Sequence, residues 1–301
     1  MSEANIIIIG GGIAGVSLGY ELAASCRTVI LEKESRGDYH ATGRNAACFA
    51  QNYGPPIVRR LTSASRGFME HPPSAFAESP LLSPRGILTL APKAQTATLN
   101  NALALASELG SPMKSMAIKE ACRLLPTLRA AYAETAASDG MNQDIDVSLL
   151  YQGYLDGFAK RGGQLRTNVE IGEIISTSTG WCLKTRDGEF EGTVLVNAAG
   201  AWADQVANAA RVDPIGLESF RRTAFTFTAA APSELHALSP MFNDAEETFY
   251  CKPYGEGFFA SPAEAVSEPP GDAQAKRVDV DETIRRIQEA VALPVGEVTR
   301  Y

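Results

Sequence analysis

The first residues able to do chemistry lie near the start of the chain. Gly10-Gly11-Gly12-Ile13-Ala14-Gly15 fits the spacing G-x-G-x-x-G, and Glu32 follows 17 residues after Gly15. Each residue type has a physical role in a dinucleotide site. Gly10 allows a tight turn, Gly12 lets backbone approach a pyrophosphate, and Gly15 lets a helix lie close against a sheet. Ile13 and Ala14 open that helix, whose free N–H groups and dipole favour phosphate anions. Glu32 can accept hydrogen bonds from ribose hydroxyls, and its charge disfavours a 2′-phosphate. The fingerprint alone leaves NAD and FAD open.

Those residues need a strand–turn–helix–strand unit to hold them. Ile6-Ile7-Ile8-Ile9 is a continuous β-branched run, as expected for a strand of a parallel sheet buried on both faces. Helical pattern follows from Ala14 to about Ala24, and Thr28-Val29-Ile30-Leu31 is a second buried strand. Further helices are expected over Pro56–Glu70, Ala94–Leu109 and Ile118–Leu125, in a region without alternating strand and helix. Ser148 is placed to cap a helix reaching Arg161, ended by Gly162-Gly163. Strands are then expected over Gln164–Ile174, Trp181–Arg186 and Glu189–Asn197, with Asp187-Gly188 as the hairpin turn. The run Thr193 to Gly200 reads as another buried strand entering a tight turn, with helix from Trp202 to Ala209. Beyond Phe220 the pattern becomes antiparallel: Thr223–Phe227 alternates, and Thr248–Tyr250 and Gly257–Phe259 flank a turn at Pro253-Tyr254-Gly255. A last helix is expected from Val280 to Ala292, then the start of a strand at Val298–Tyr301.

The bulk numbers narrow the function classes. The net charge of −8 in 301 residues is wrong for a general nucleic-acid binder, which needs clustered Lys and Arg. No apolar run is long enough to span a membrane, and the N-terminus has no signal-peptide pattern. Five scattered cysteines without metal-ligand spacing read as reduced thiols, so a cytoplasmic location and no metal site are expected. His40 is read as a loop residue near the nucleotide, and His71 and His236 as surface histidines.

Several further motifs resemble one family. They are Thr42-Gly43-Arg44-x-Ala46-Ala47, Leu81-Leu82-Ser83-Pro84-Arg85, Asp144-Ile145-Asp146 and Gln152-Gly153-Tyr154. To these are added Val196-Asn197-Ala198-Ala199-Gly200-Ala201-Trp202 and Phe249-Tyr250-x-Lys252-Pro253. Together with the fingerprint they resemble the FAD-dependent D-amino-acid oxidase superfamily, with the nearest likeness to D-arginine dehydrogenase-like D-amino-acid dehydrogenases. The resemblance implies an α/β fold: a Rossmann-like FAD-binding domain (residues 1–55 and 142–215) and an interleaved α+β substrate domain (56–141 and 216–301) bearing an antiparallel sheet. It implies FAD contacts from Gly10, Gly12, Ile13, Ala14, Gly15, Glu32 and Lys33. The loop Thr42, Gly43, Arg44, Ala46 and Ala47 would wrap the flavin diphosphate and ring edge. Val169 would meet the adenine end through its backbone, and Ala199, Gly200 and Trp202 would line the cleft. Tyr53, Arg222 and Tyr250 match pocket positions, and an Arg on an apolar strand can grip a carboxylate in bidentate fashion. Arg221 and Arg222, as strand neighbours, point to opposite faces, one toward flavin and the other toward solvent.

The implied activity is oxidation of the CH–NH bond of a D-amino acid, with hydride transfer to non-covalent FAD and reoxidation by oxygen or a quinone. Two departures bear on it. Cys48 stands where close relatives carry His. Gly86-Ile87 stands where relatives that accept cationic side chains carry an acid, so small or apolar side chains are expected. The family's chains continue past the equivalent of Tyr301, with a second pocket Arg and a glycine-rich turn toward the flavin. A truncated form, weak in FAD binding and slow in turnover, is therefore expected. A non-catalytic nucleotide-binding remnant, a glycine- or sarcosine-oxidase-like enzyme and an NAD-dependent dehydrogenase stand as alternatives.

Overall fold

The computed structural model describes residues 2–230, 235 and 238–300. His236 and Tyr301 therefore lie outside the described residues. A six-stranded sheet holds the nucleotide fingerprint. Its order is Ile171–Thr177, Gly180–Thr185, Gly188–Asn197, Ser2–Ile9, Thr28–Leu31 and Gln164–Arg166. Ser2–Ile9 runs parallel to both neighbours, with Ile9 level with Asn197 on one side and Leu31 on the other. The isoleucine run is central because both faces are covered. Ile6 and Ile8 pack with Val16, Tyr151 and Phe158 from helices Ile13–Leu22 and Val147–Lys160. Ile7 and Ile9 pack on the other face with Val29, Leu31, Val169, Leu183 and Ala210.

An eight-stranded sheet joins strands from residues 87–139 with strands from residues 225–300. Its order is Val295–Arg300, Phe225–Ala229, Gly257–Ser261, Tyr250–Tyr254, Met241–Asp244, Ile87–Ala91, Thr135–Asp139 and Lys114–Met116. Only the pair Met241–Asp244 and Ile87–Ala91 runs parallel. Phe225, Phe227, Phe242, Phe249, Cys251 and Phe258 form its main core with Val280 and Ile287 of helix Arg277–Ala290. A three-stranded sheet, Cys48–Phe49, Gln143–Ile145 and Leu82–Pro84, links the loop after the nucleotide unit to the start of the larger sheet.

Several boundaries differ from those read in the sequence. Gln164–Ile174 is not one strand: Gln164–Arg166 pairs with Thr28–Leu31, whereas Ile171–Thr177 lies at the opposite edge of the same sheet. Asn168, with φ +58°, turns the chain between them. The helix cap is Asp146 rather than Ser148, its carboxylate accepting the Leu149 N–H at 2.8 Å. Thr185 pairs directly with Gly188, so the hairpin loop is Arg186-Asp187. The region from 56 to 141 holds the expected helices and also strands Leu82–Pro84, Ile87–Ala91, Lys114–Met116 and Thr135–Asp139, which the sequence reading had not placed.

Candidate active site

The nucleotide end forms at the carboxyl ends of Ser2–Ile9 and Thr28–Leu31, where ligands of doubly wound sheets bind. Gly10 adopts φ +107°, and its absent Cβ would overlap the Ala198 carbonyl. A Cβ at Gly15 would overlap the Gly10 carbonyl oxygen, so the helix could not approach. Gly12 differs: a Cβ there would meet Thr42 Oγ1 at 3.2 Å and little else. It stands at a helix start with no backbone overlap, its nearest neighbours being Thr42 Oγ1 and, at 3.9 Å, the Gly37 carbonyl oxygen. Thr42 Oγ1 accepts the Ile13 N–H at 3.0 Å, bringing the following loop onto that helix end. Ala14, exposed, completes the first turn.

Glu32 braces the turn. Its Oε2 accepts the Gly11 N–H at 2.7 Å and its Oε1 the Glu34 N–H at 2.8 Å. Tyr151, unmarked by the sequence reading, donates its hydroxyl to the Gly11 carbonyl at 2.8 Å. Burial, with the charges of Asp38 and Glu32, pushes the Tyr151 phenol up to about 12, so it remains a donor. Lys33 is exposed beside Glu32. The Val169 N–H is already bound to the Glu32 carbonyl at 2.9 Å.

The remaining nucleotide candidates gather around this end. The Trp202 ring lies 4.6 Å from that of His40, which is held to Glu34 at 3.0 Å, so the turn Ala199–Gly200–Trp202 meets the loop 34–44. Gly200, at φ +54°, faces space free of neighbours. Gly43 and Arg44 are exposed. The Arg44 guanidinium lies over the Tyr39 ring at 4.6 Å and bonds Asp272 at 2.7 Å, which holds the Asp272 carboxyl below the usual range. Ala47 sits at φ +51° and leads into the short strand that ends the loop.

Of the expected pocket residues, Tyr250 alone lies on the larger sheet. Tyr250 is half-buried, pairs across the sheet with Ser261, and stacks on Phe259. Burial raises its phenol, with the charges of Cys48 and Glu264 adding to the rise and Ser261 and Arg222 opposing it. Arg222 is exposed. Arg221 is not in solvent, as the alternation had implied: at 5% exposure it is held by Glu264, Glu268 and Asp279. Tyr53 is 53% exposed, just before Gly54 at φ +81°. Among the described residues, no hydrogen bond or ring contact joins Tyr53 to Tyr250. Ile87 is half-buried rather than buried, and sits level with Met241 on the neighbouring strand. Met241 Sδ lies 3.5 Å from Cys48 Sγ.

One cluster escaped the sequence reading. Lys252, 3% exposed, donates to Asp144 Oδ1 and to the Ala46 carbonyl, both at 2.7 Å, with Cys48 Sγ at 4.0 Å. Arg85 binds the other oxygen of Asp144 at 2.6–2.8 Å. Lys252 shares a strand face with Tyr250, so this network ties the strand of Tyr250 to the loop of Ala46 and Ala47. The available signal was a lysine inside an otherwise apolar strand. Elsewhere, hairpin register brings ligand atoms of Cys182, Glu189 and Glu191 within 4.8 Å of one another, a proximity invisible in linear spacing. Among the described residues, no helix is long and apolar enough to cross a membrane.

A strand–glycine turn–helix unit opening toward an antiparallel sheet defines the class: a flavin-type nucleotide-binding oxidoreductase. Residues 5–300 match the DAO family model, described as FAD dependent oxidoreductase, and the chain belongs to that family. FAD is accordingly its cofactor. Glycine oxidase of Geobacillus kaustophilus is 28% identical over 213 residues, covering 66% of this chain and 55% of that protein. L-2-hydroxyglutarate dehydrogenase of Indibacter alkaliphilus is 25% identical over 210 residues, covering 67% and 51%. The chain thus spans about half the length of the curated relatives it matches. The crystal structure of the Geobacillus glycine oxidase superposes with a TM-score of 0.81 at 22% identity, covering 99% of this chain and 82% of that one. That likeness establishes the shared fold.

Proposed function

We propose that this chain oxidises the CH–NH bond of D-amino acids with small or apolar side chains. The observation that carries the reading is an apolar wall beside the strand of Tyr250: Cys48, next to Lys252 on that strand, touches Met241, which is level with Ile87, and Arg222 is exposed. A guanidinium and a phenol suit a carboxylate, and the wall offers no partner for a cationic side chain. The D-amino-acid assignment rests on the motif resemblance to D-arginine dehydrogenase-like enzymes.

FAD, when bound, supplies the two-electron acceptor. Gly10, Gly12, Ile13, Ala14, Gly15, Glu32 and Lys33 would hold its nucleotide end. Thr42, Gly43, Arg44, Ala46, Ala47, Val169, Ala199, Gly200 and Trp202 would complete the cleft. Arg222 and Tyr250 would orient the substrate, and Tyr53 would close the rim. We assign the nucleotide-binding part to residues 1–55 and 142–215 and the substrate part to 56–141 and 216–301. Oxygen or a quinone would take the electrons. All five cysteines are free thiols, in keeping with a reducing, cytoplasmic setting.

A glycine- or sarcosine-type substrate is a second reading, favoured by the similarity to the Geobacillus glycine oxidase. Steady-state kinetics with a panel of amino acids separates the two. The first reading expects D-alanine, D-methionine or D-leucine to give the highest kcat/KM. Glycine or sarcosine as the best substrate supports the second, and D-arginine or D-lysine as the best contradicts both.

A further inference from the structure

Arg222 follows a strand of only two residues, Phe220–Arg221, paired to Val266–Ser267. So short a ladder holds a side chain poorly on its own. The residues on either side of Arg222 are instead fixed by one carboxylate. Glu264 Oε1 accepts the Thr223 N–H at 2.7 Å and a bond from Arg221 Nη1 at 3.1 Å. Arg221 also bonds Thr223 Oγ1 at 2.6 Å, Asp279 at 3.1 Å and Glu268 at 3.0 Å. With Arg221 and Thr223 both drawn inward and buried, alternation sends Arg222 to the opposite face.

The same segment reaches Tyr250. Ser261 is the cross-strand partner of Tyr250. Two residues on, Ala263 adopts φ +53°, with its N–H bonded to Ser261 Oγ at 2.9 Å. A left-handed alanine is strained and persists only where its surroundings impose it. Here it swings Glu264 back beneath Thr223. The stretch Ser261–Ala263–Glu264 therefore pairs with the backbone of Tyr250 at one end and braces the residues flanking Arg222 at the other. No motif in the sequence marked it.

We propose that Glu264 and Arg221 are positioning residues that hold Arg222 and Tyr250 in register for one carboxylate. The proposal rests on the reading that Arg222 grips the substrate carboxylate. The test uses the FAD-loaded full chain and its best amino-acid substrate, with binding of benzoate, a plain carboxylate, followed through the flavin spectrum. Arg222→Ala must raise KM and the benzoate Kd; if it does not, the carboxylate reading itself fails. Given that effect, Glu264→Ala is expected to raise both constants by about tenfold, the loss of one charge-assisted bond, with kcat changed far less. Glu264→Gln, which keeps an oxygen able to accept both bonds, should restore them to within about threefold. In an Arg222→Ala background, Glu264→Ala should add nothing further. If Glu264→Ala does not fold, Glu264→Asp carries the test, since its shorter arm cannot reach both donors and is expected to raise KM alike. An unchanged KM in the variant tested, or an equal rise with and without Arg222, overturns the proposal.

Discussion

Asp144 neutralises two cations at once, Lys252 on one carboxylate oxygen and Arg85 on the other. Removing it leaves two largely buried charges without their partner, whereas removing Lys252 leaves Asp144 paired with Arg85. Breaking a buried pair by deleting one member costs about 3–5 kcal/mol. Asp144→Ala should therefore destabilise by about that amount and Lys252→Met by clearly less, an ordering that urea unfolding checks. Tyr151 offers a pH test. Its folded phenol is raised from an ordinary value near 10 to about 12, so its bond to Gly11 is fully present below about pH 10 and is lost as pH rises toward 12. Wild type should exceed Tyr151→Phe by about 1 kcal/mol across neutral pH, with the gap closing only above about pH 10. Denaturant midpoints measured against pH would show it. The tight turn at Gly10 and the close helix approach at Gly15 were legible in the sequence because local spacing encodes them, whereas the bracing of that turn by Glu32 was not. Lys252 and Asp144 were not paired there, because they stand 108 residues apart and only sheet assembly brings them together.

At the scale of elements, the glycine turn makes a sharper claim than a motif match. Gly15→Ala would drive a methyl into the Gly10 carbonyl, a backbone atom that cannot yield, and should cost about 3 kcal/mol in folding. Gly12→Ala meets Thr42 Oγ1 at 3.2 Å, with the Gly37 carbonyl at ordinary contact distance, and should cost far less in folding than Gly15→Ala while weakening FAD binding. Thermal melts and flavin titration of the two variants separate these effects. The buried isoleucine strand and helix Pro56–Glu70 were readable because continuous β-branched runs and helical periodicity are local signals. Thr135–Asp139, with the sequence TAASD, was not: alanine and serine carry little strand preference, and its pairing with Ile87–Ala91 imposes the conformation. The break at Asn168 was hidden for the opposite reason, since Leu165, Thr167, Val169 and Ile171 continue a strand-like alternation across a single left-handed turn.

Across the whole molecule, three sheets share the work. One carries the nucleotide fingerprint, one carries Tyr250, and the small sheet of Cys48–Phe49, Gln143–Ile145 and Leu82–Pro84 joins them beside the Lys252–Asp144 network. FAD, once bound, should stabilise the fold by mass action, by about 2.7 kcal/mol at a hundredfold excess over Kd, and raise the melting temperature accordingly. The most direct measurement is anaerobic mixing of the FAD-loaded protein with single amino acids while the flavin absorbance is followed. The expected result is full bleaching by D-alanine or D-methionine, much slower bleaching by D-arginine, and strongly weakened substrate binding in Arg222→Ala. A flavin left unbleached by every amino acid, or bleached fastest by D-arginine, would contradict the proposed function.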